Sequence, residues 1–162
     1  WKPVFNYKTM NAQKEQGGDM KDQLKTIEEA MSLIGELKTT FEIKPPDSKD
    51  PLLYTGVVEA DVIEQITPIV EKYYGRPFKP AGKSALLKNL TDGFSKAIGG
   101  MRKDQTVFRK DISKSLYLYC AFWPWGSNPV NTTVRIGVLT TGSEEPGKEI
   151  YSIMGKYLDS LP

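Results

Sequence analysis

The chain has 162 residues, 39% apolar and 26% charged, with a formal net charge of +2; this is the size and balance of one globular domain able to bury a core without a metal or disulfide. It contains no histidine and a single cysteine, Cys120. Together these exclude Ser-His-Asp and Cys-His nucleophiles, histidine zinc sites, CxxC redox motifs and intramolecular disulfides, so the expectation leans away from an enzyme and includes no cofactor and no metal.

Residues 1–18 are polar and aperiodic, end in Gly17-Gly18, and read as a flexible N-terminal arm ahead of a single domain over 19–162. Asp19 then serves as the N-cap of a first helix, whose Leu24, Ile27, Met31 and Ile34 recur at helical spacing, widened by Leu33 and Leu37. The prolines and polar residues of 45–51 mark a loop. Val62, Ile63, Ile66, Ile69, Val70 and Tyr73 fit one face of a second helix over about 59–74, kinked at Pro68 and stopped by Gly75. Ser84 caps a third helix, with Leu86, Leu87, Leu90, Phe94, Ala97 and Ile98 as its buried face and Gly99-Gly100 as its end.

From there the period changes from helical to alternating. Residues 105–112, 116–125 and 132–139 read as strands, the last two joined by a turn at Gly126-Ser127-Asn128-Pro129. Ser143 opens a final helix on which Ile150, Ile153, Met154, Tyr157, Leu158 and Leu161 form one stripe. Segregated helices and strands predict an α+β fold, with a small antiparallel sheet of about three or more strands packed with about four amphipathic helices. Run 116–125 is about half the ~20 residues a membrane span needs, so a soluble domain without a membrane span is expected.

Alternation divides the expected hairpin into two faces. Leu116, Leu118, Cys120 and Phe122 join Val134, Ile136 and Val138 in a core, while Tyr117, Tyr119, Ala121 and Trp123 lie beside Thr133, Arg135 and Gly137. Aromatics with an arginine on an open sheet can stack bases or sugars, and helices covering that face would remove the possibility; the covered arrangement is favoured because four helices have to be placed. Residues 75–135 hold eleven Lys and Arg against three Asp, net +8, and the rest of the chain holds 11 basic and 17 acidic residues, net −6. Internal neutralisation is the favoured reading of that asymmetry, with an anion-binding surface as the competitor.

Other motifs read as structural. Gly82-Lys83-Ser84 resembles the end of a phosphate loop, but Pro77 stands where its first glycine should be. Ser84 and Lys88 lack the S-x-x-K spacing, the acid pairs Glu28-Glu29 and Glu144-Glu145 diverge, and Cys120 alternates with apolar neighbours. The sequon at Asn89 falls in a helix and is read as chance; that at Asn131 matters only in a secreted eukaryotic protein. Trp123-Pro124-Trp125-Gly126 at a hairpin tip is the preferred contact site, because two indoles are costly to leave in water and loop tips carry function.

The function expected is therefore a non-enzymatic binding or assembly domain. It would contact an unknown protein or small ligand through Trp123 and Trp125, with Arg102, Lys103, Arg109 and Arg135 available for anionic groups. One alternative is nucleic-acid or other polyanion binding on the Tyr117/Tyr119 face. Another is a histidine-independent enzyme with a Tyr, Lys or carboxylate pocket. A homo-oligomer is allowed, and a chain opening on Trp1 leans the expected compartment towards export.

Overall fold

The alternating segments in the second half of the chain form three strands of a four-stranded sheet. A computed structural model describes residues 7–44 and 49–158, with side chains from Asp19 onward. Its elements are helix α1 (Tyr7–Thr40), strand β1 (Leu53–Glu59), a 3₁₀ turn (Ala60–Val62), α2 (Ile63–Tyr74), α3 (Leu86–Thr91), α4 (Gly93–Ala97), β2 (Thr106–Asp111), β3 (Leu116–Pro124), β4 (Asn131–Thr140) and α5 (Lys148–Leu158). All neighbouring strands are antiparallel in the order β1-β4-β3-β2. The fold is α+β, as the segregation of helical and alternating segments predicts. Among the described residues no helix is long and apolar enough to cross a membrane.

The hairpin register follows the sequence pattern. Leu118 pairs with Val138, Cys120 with Ile136 and Phe122 with Val134, and these side chains form the main core with α1, α2 and α5. The stripe of α1 (Ile27, Met31, Leu33, Ile34, Leu37) is buried there, as are Ile66 and Val70 of α2 and Ile150, Ile153 and Met154 of α5. Burial pushes the Cys120 thiol well up from its ordinary value, so Cys120 acts as a small apolar side chain.

Several boundaries differ from those expected. Helix α1 begins at Tyr7 rather than Asp19: residues 10–16 are mostly strong helix formers, and extending a helix already anchored by packing costs little. The expected arm at residues 1–6, the 45–48 part of the loop, and Leu161 lie outside the described residues. Strand β1 falls where the sequence pattern assigns no element, because Gly56 interrupts its β-branched run; the glycine is needed where Tyr54 and Ile43 crowd the Cβ position. The helix expected over 59–74 accordingly starts only at Ile63, keeps Pro68 inside it, and ends at Gly75, whose φ is 76°. Helix α5 starts at Lys148 instead of Ser143, since Pro146 holds the preceding residue extended and the Gly147 carbonyl takes the Ile150 N–H.

The largest difference is in the third expected helix. Asp92 adopts φ −93°, ψ 126° and splits the segment into α3 and α4. Its carboxylate accepts from the Ser95 backbone N–H at 2.7 Å and from the Ser95 hydroxyl at 2.8 Å, capping α4 and competing with a continuous helix. After the break, Phe94 and Ile98 are buried against the second sheet face with Leu53, Val107, Tyr119 and Ala121. Leu86, Leu87 and Leu90, expected in the core, are instead 69, 73 and 64% exposed. Ser84 only weakly serves as a cap: its Oγ lies 3.4 Å from the Leu86 N–H, and Ala85 occupies the N-cap position.

Arg109 locks this arrangement. Its guanidinium pairs with Asp92 at 3.2 Å and Asp111 at 2.8 Å and lies 4.1 Å from the Phe78 ring centre. Burial by itself raises the Asp92 pKa, but the two Ser95 donors and Arg109 outweigh it and hold the carboxyl below its ordinary value. A depressed carboxylate stabilises the fold above the unfolded pKa of about 3.9, and that contribution disappears as pH falls through the folded value.

Two outcomes are expected. Asp92→Ala lowers stability in urea by about 1–2 kcal/mol at neutral pH, and the gap to the wild type narrows below about pH 4; a gap independent of pH would show that the charge contributes nothing. Gly137→Ala places a Cβ 2.8 Å from the Leu52 carbonyl oxygen and 3.2 Å from the Tyr119 ring, and lowers stability by about 1–3 kcal/mol. An unchanged urea midpoint for this variant would mean that β1 yields freely.

Candidate functional site

The end of the β3–β4 hairpin and the loop after α4 face each other across an open cleft of about 590 Å³. Trp123, Pro124, Trp125, Gly126 and Thr133 form the hairpin wall, and Gly99, Gly100, Met101, Arg102, Gln105 and Asn89 form the other. Gly99 and Gly100 have φ of 91° and 81°, a pair of left-handed turns that only glycine takes cheaply. They carry the chain out of α4 and into the cleft wall.

The loop wall is held by polar side chains reaching into it. Lys79 is 1% exposed, and its ammonium donates to the carbonyls of Arg102 at 2.6 Å, Lys103 at 2.8 Å and Gln105 at 2.6 Å. Burial lowers the Lys79 pKa from its ordinary value and Asp104 counters this; three carbonyl acceptors match the three donors of an ammonium group. Asn89 of α3 donates to the Met101 carbonyl and accepts from the Met101 N–H, both at 2.9 Å. Gln105 accepts from the Arg102 N–H at 2.8 Å. Arg102 then spans the cleft, pairing with Asp104 and donating to the Pro124 carbonyl, each at 3.2 Å.

The hairpin wall is aromatic. Trp125 is 55% exposed, and its indole N–H donates to the Thr133 hydroxyl at 2.7 Å, which fixes the ring while leaving its face in solvent. Trp123 is half-buried, with the Arg135 guanidinium 4.1 Å from its ring centre. The Trp123 indole N–H is buried and has no hydrogen-bond partner.

Of the residues singled out by sequence, Trp123, Trp125 and Arg102 meet in the cleft, Arg135 stacks on Trp123, and Lys103 is exposed beside Arg102. The others lie elsewhere. Tyr119 is 4% exposed beneath Phe94, and burial raises its hydroxyl pKa to about 12. Tyr117 is half-buried near Phe94, with its hydroxyl donating to the Lys114 carbonyl. Arg109 is committed to Asp92, Asp111 and the Phe78 ring. The second sheet face is thus covered by α4 over Tyr119 and Ala121, with Trp123 and Tyr117 partly exposed beside it.

Sequence reasoning missed Lys79, Asn89 and Gln105. The first is a lysine like any other until its turn is seen, and the second was set aside as a chance sequon. A proline on each side of Phe78-Lys79 marks a stiff, non-helical segment, the one signal that could have set Lys79 apart. Among the described residues, no group of three or more His, Cys, Asp or Glu is placed to hold a metal ion. No protein-family model, no curated protein and no solved structure matches the chain, so the site is argued from its geometry alone.

Lys79→Met removes one cation and leaves the Gln105 carbonyl without its donor, while the Arg102 and Lys103 carbonyls keep the Gln105 and Gly82 N–H groups. It is expected to cost about 3 kcal/mol or more in urea unfolding and to speed amide exchange across 99–105. Unchanged stability would show that carbonyl to be satisfied by solvent.

Proposed function

We propose that the chain is a non-enzymatic binding domain whose contact site is the cleft between the tryptophan hairpin tip and the Gly99–Arg102 loop. The observation that carries this reading is Trp125: a large aromatic, 55% exposed, pinned by its own N–H at the mouth of a 590 Å³ cleft. A fixed indole offers contact area at little entropy cost, which is why tryptophan and arginine are frequent at the energetic centres of interfaces.

The chemistry of the walls favours a polypeptide partner. Among the described lining residues Arg102 is the only charged side chain, and none is a carboxylate. Trp123 contributes a half-buried indole on which the Arg135 guanidinium stacks at 4.1 Å. Donors between aromatic walls suit an extended segment presenting backbone carbonyls, the mode by which aromatic-lined grooves take proline-rich peptides. Polyanion binding on the sheet face has less support, because Tyr119, its central stacking residue, is buried beneath Phe94. An enzymatic pocket built on Tyr117 and Tyr119 has less support for the same reason, since neither lines the cleft.

The test is affinity selection from a displayed library of random peptides, counter-selected with Trp125→Ala. Trp125→Ala should lose bound peptides while its stability changes by no more than about 1 kcal/mol, the loss of one exposed hydrogen bond and partial packing. Peptides held equally by both proteins, or none held by the wild type, would overturn the reading.

A further inference from the structure

Apart from the cleft, the surface carries two apolar features that no element of the described chain covers. The first is a ridge, Leu86, Leu87 and Leu90 on the outward side of α3. Spaced i, i+1 and i+4, these side chains stand together on one side of the helix, away from the inward-facing Lys88 and Asn89. Cations border the ridge. Lys83 precedes α3, the Gly82 N–H bonds the Lys103 carbonyl and so brings Lys103 to the same end, and Lys96 lies on α4; all three are exposed. None of the three takes part in an ion pair among the described residues.

The second is a groove of about 220 Å³ between α1 and α5. Its floor is Leu24, Ile27, Leu116 and Ile150, and Met20, 57% exposed, stands at its edge. The groove has an acidic rim. Glu149 lines it, Asp19 is held there by a hydrogen bond from the lining residue Gln23, and Glu144 accepts from Ser115 next to Leu116. These carboxylates, with Glu145 next to Glu144, form no ion pair among the described residues; Lys21, Lys114 and Lys148 are the cations beside rim residues in sequence, leaving the rim acidic by one charge.

We propose that the ridge of one copy of this chain seats in the groove of a second copy. An apolar ridge bordered by Lys83, Lys96 and Lys103 meets an apolar groove bordered by Asp19, Glu144 and Glu149, so burial and charge select the same pairing. The charge asymmetry of the sequence, net +8 over 75–135 and net −6 elsewhere, has its counterpart in these two surfaces. The two patches are different, so the contact is head-to-tail: each copy keeps one free ridge and one free groove, and association continues into a ring or a filament. This inference is independent of the tryptophan cleft.

The experiment is sedimentation of the full chain over a concentration series, with four altered proteins, one of them Lys83→Glu alone. The ridge variant is Leu87→Glu with Leu90→Glu, the groove variant is Met20→Glu, and the charge pair is Lys83→Glu combined with Glu149→Lys. All these positions are exposed, and circular dichroism checks that each protein keeps its fold. The wild type should exceed its 18.2 kDa monomer mass as concentration rises, more so at low salt. The ridge and groove variants should each associate about tenfold or more weakly. Mixed in equal amounts they should form one capped dimer, because the groove of the first and the ridge of the second are intact. Lys83→Glu alone should weaken association, and adding Glu149→Lys should restore it.

A wild type that stays monomeric throughout would overturn the proposal. So would a groove variant that associates normally while the ridge variant does not, which would mean a symmetric α3–α3 contact. A mixture that fails to recover the dimer would overturn it as well.

Discussion

Asp92 can cap the Ser95 N–H only if its own backbone leaves the helix, and much of the molecule follows from that requirement. With the break in place, Phe94 and Ile98 turn onto the sheet and seal Tyr119 beneath them, while Leu86, Leu87 and Leu90 stay outside. A cap contributes about 1 kcal/mol, whereas each leucine left in water forgoes about 1.5–3 kcal/mol of burial. The cap alone therefore does not explain why the leucines are outside. Burial of Phe94 and Ile98 and the stacking of Arg109 on Phe78 must supply the remainder within the monomer. Apolar surface left on the ridge is the surplus that a second surface can recover.

Lys79 plays the corresponding part for the cleft. A lone ammonium at 1% exposure would be expensive, and it is tolerated because each of its three donors meets a carbonyl of the same loop. The cation thereby folds 102–105 around itself. Its backbone also pairs with Val107 at the outer edge of β2, where unpaired backbone would otherwise invite another strand. One residue thus ties the loop wall to the sheet that carries the tryptophans, and the cleft inherits its rigidity from the sheet rather than from the loop.

Regular elements with a clear period were legible in the sequence, and residues whose role depends on a distant partner were not. Alternation put Cys120 and Phe122 on one face with Val134 and Ile136, because a two-residue period admits one inward set once a hairpin turn is recognised; the register pairing Cys120 with Ile136 and Phe122 with Val134 came from the structure. Stripes on α1 and α5 were equally plain. In the 84–98 segment the period was real but misleading: Asp92-Gly93 carries a capping signal inside an otherwise continuous apolar stripe, and the local hydrogen bond prevailed over the stripe. At the site, Trp123, Trp125 and Arg102 could be found from composition at a loop tip. Asn89 and Lys79 could not, since both act on backbone groups of a loop far along the chain.

Helix α3 faces both proposed surfaces. Its inward side carries Asn89, whose two hydrogen bonds hold Met101 in the cleft wall, and its outward side carries the leucine ridge. The helix is only six residues long, too short to be stable by itself, so its position depends on what packs against either side. A partner that fixes the ridge would also steady Asn89 and the Gly99–Arg102 wall. By linkage, a ligand that steadies that wall would favour ridge contacts to the same degree. The Asn89 amide, itself part of the cleft wall and set on the helix that carries the ridge, is the link through which association would couple to ligand binding.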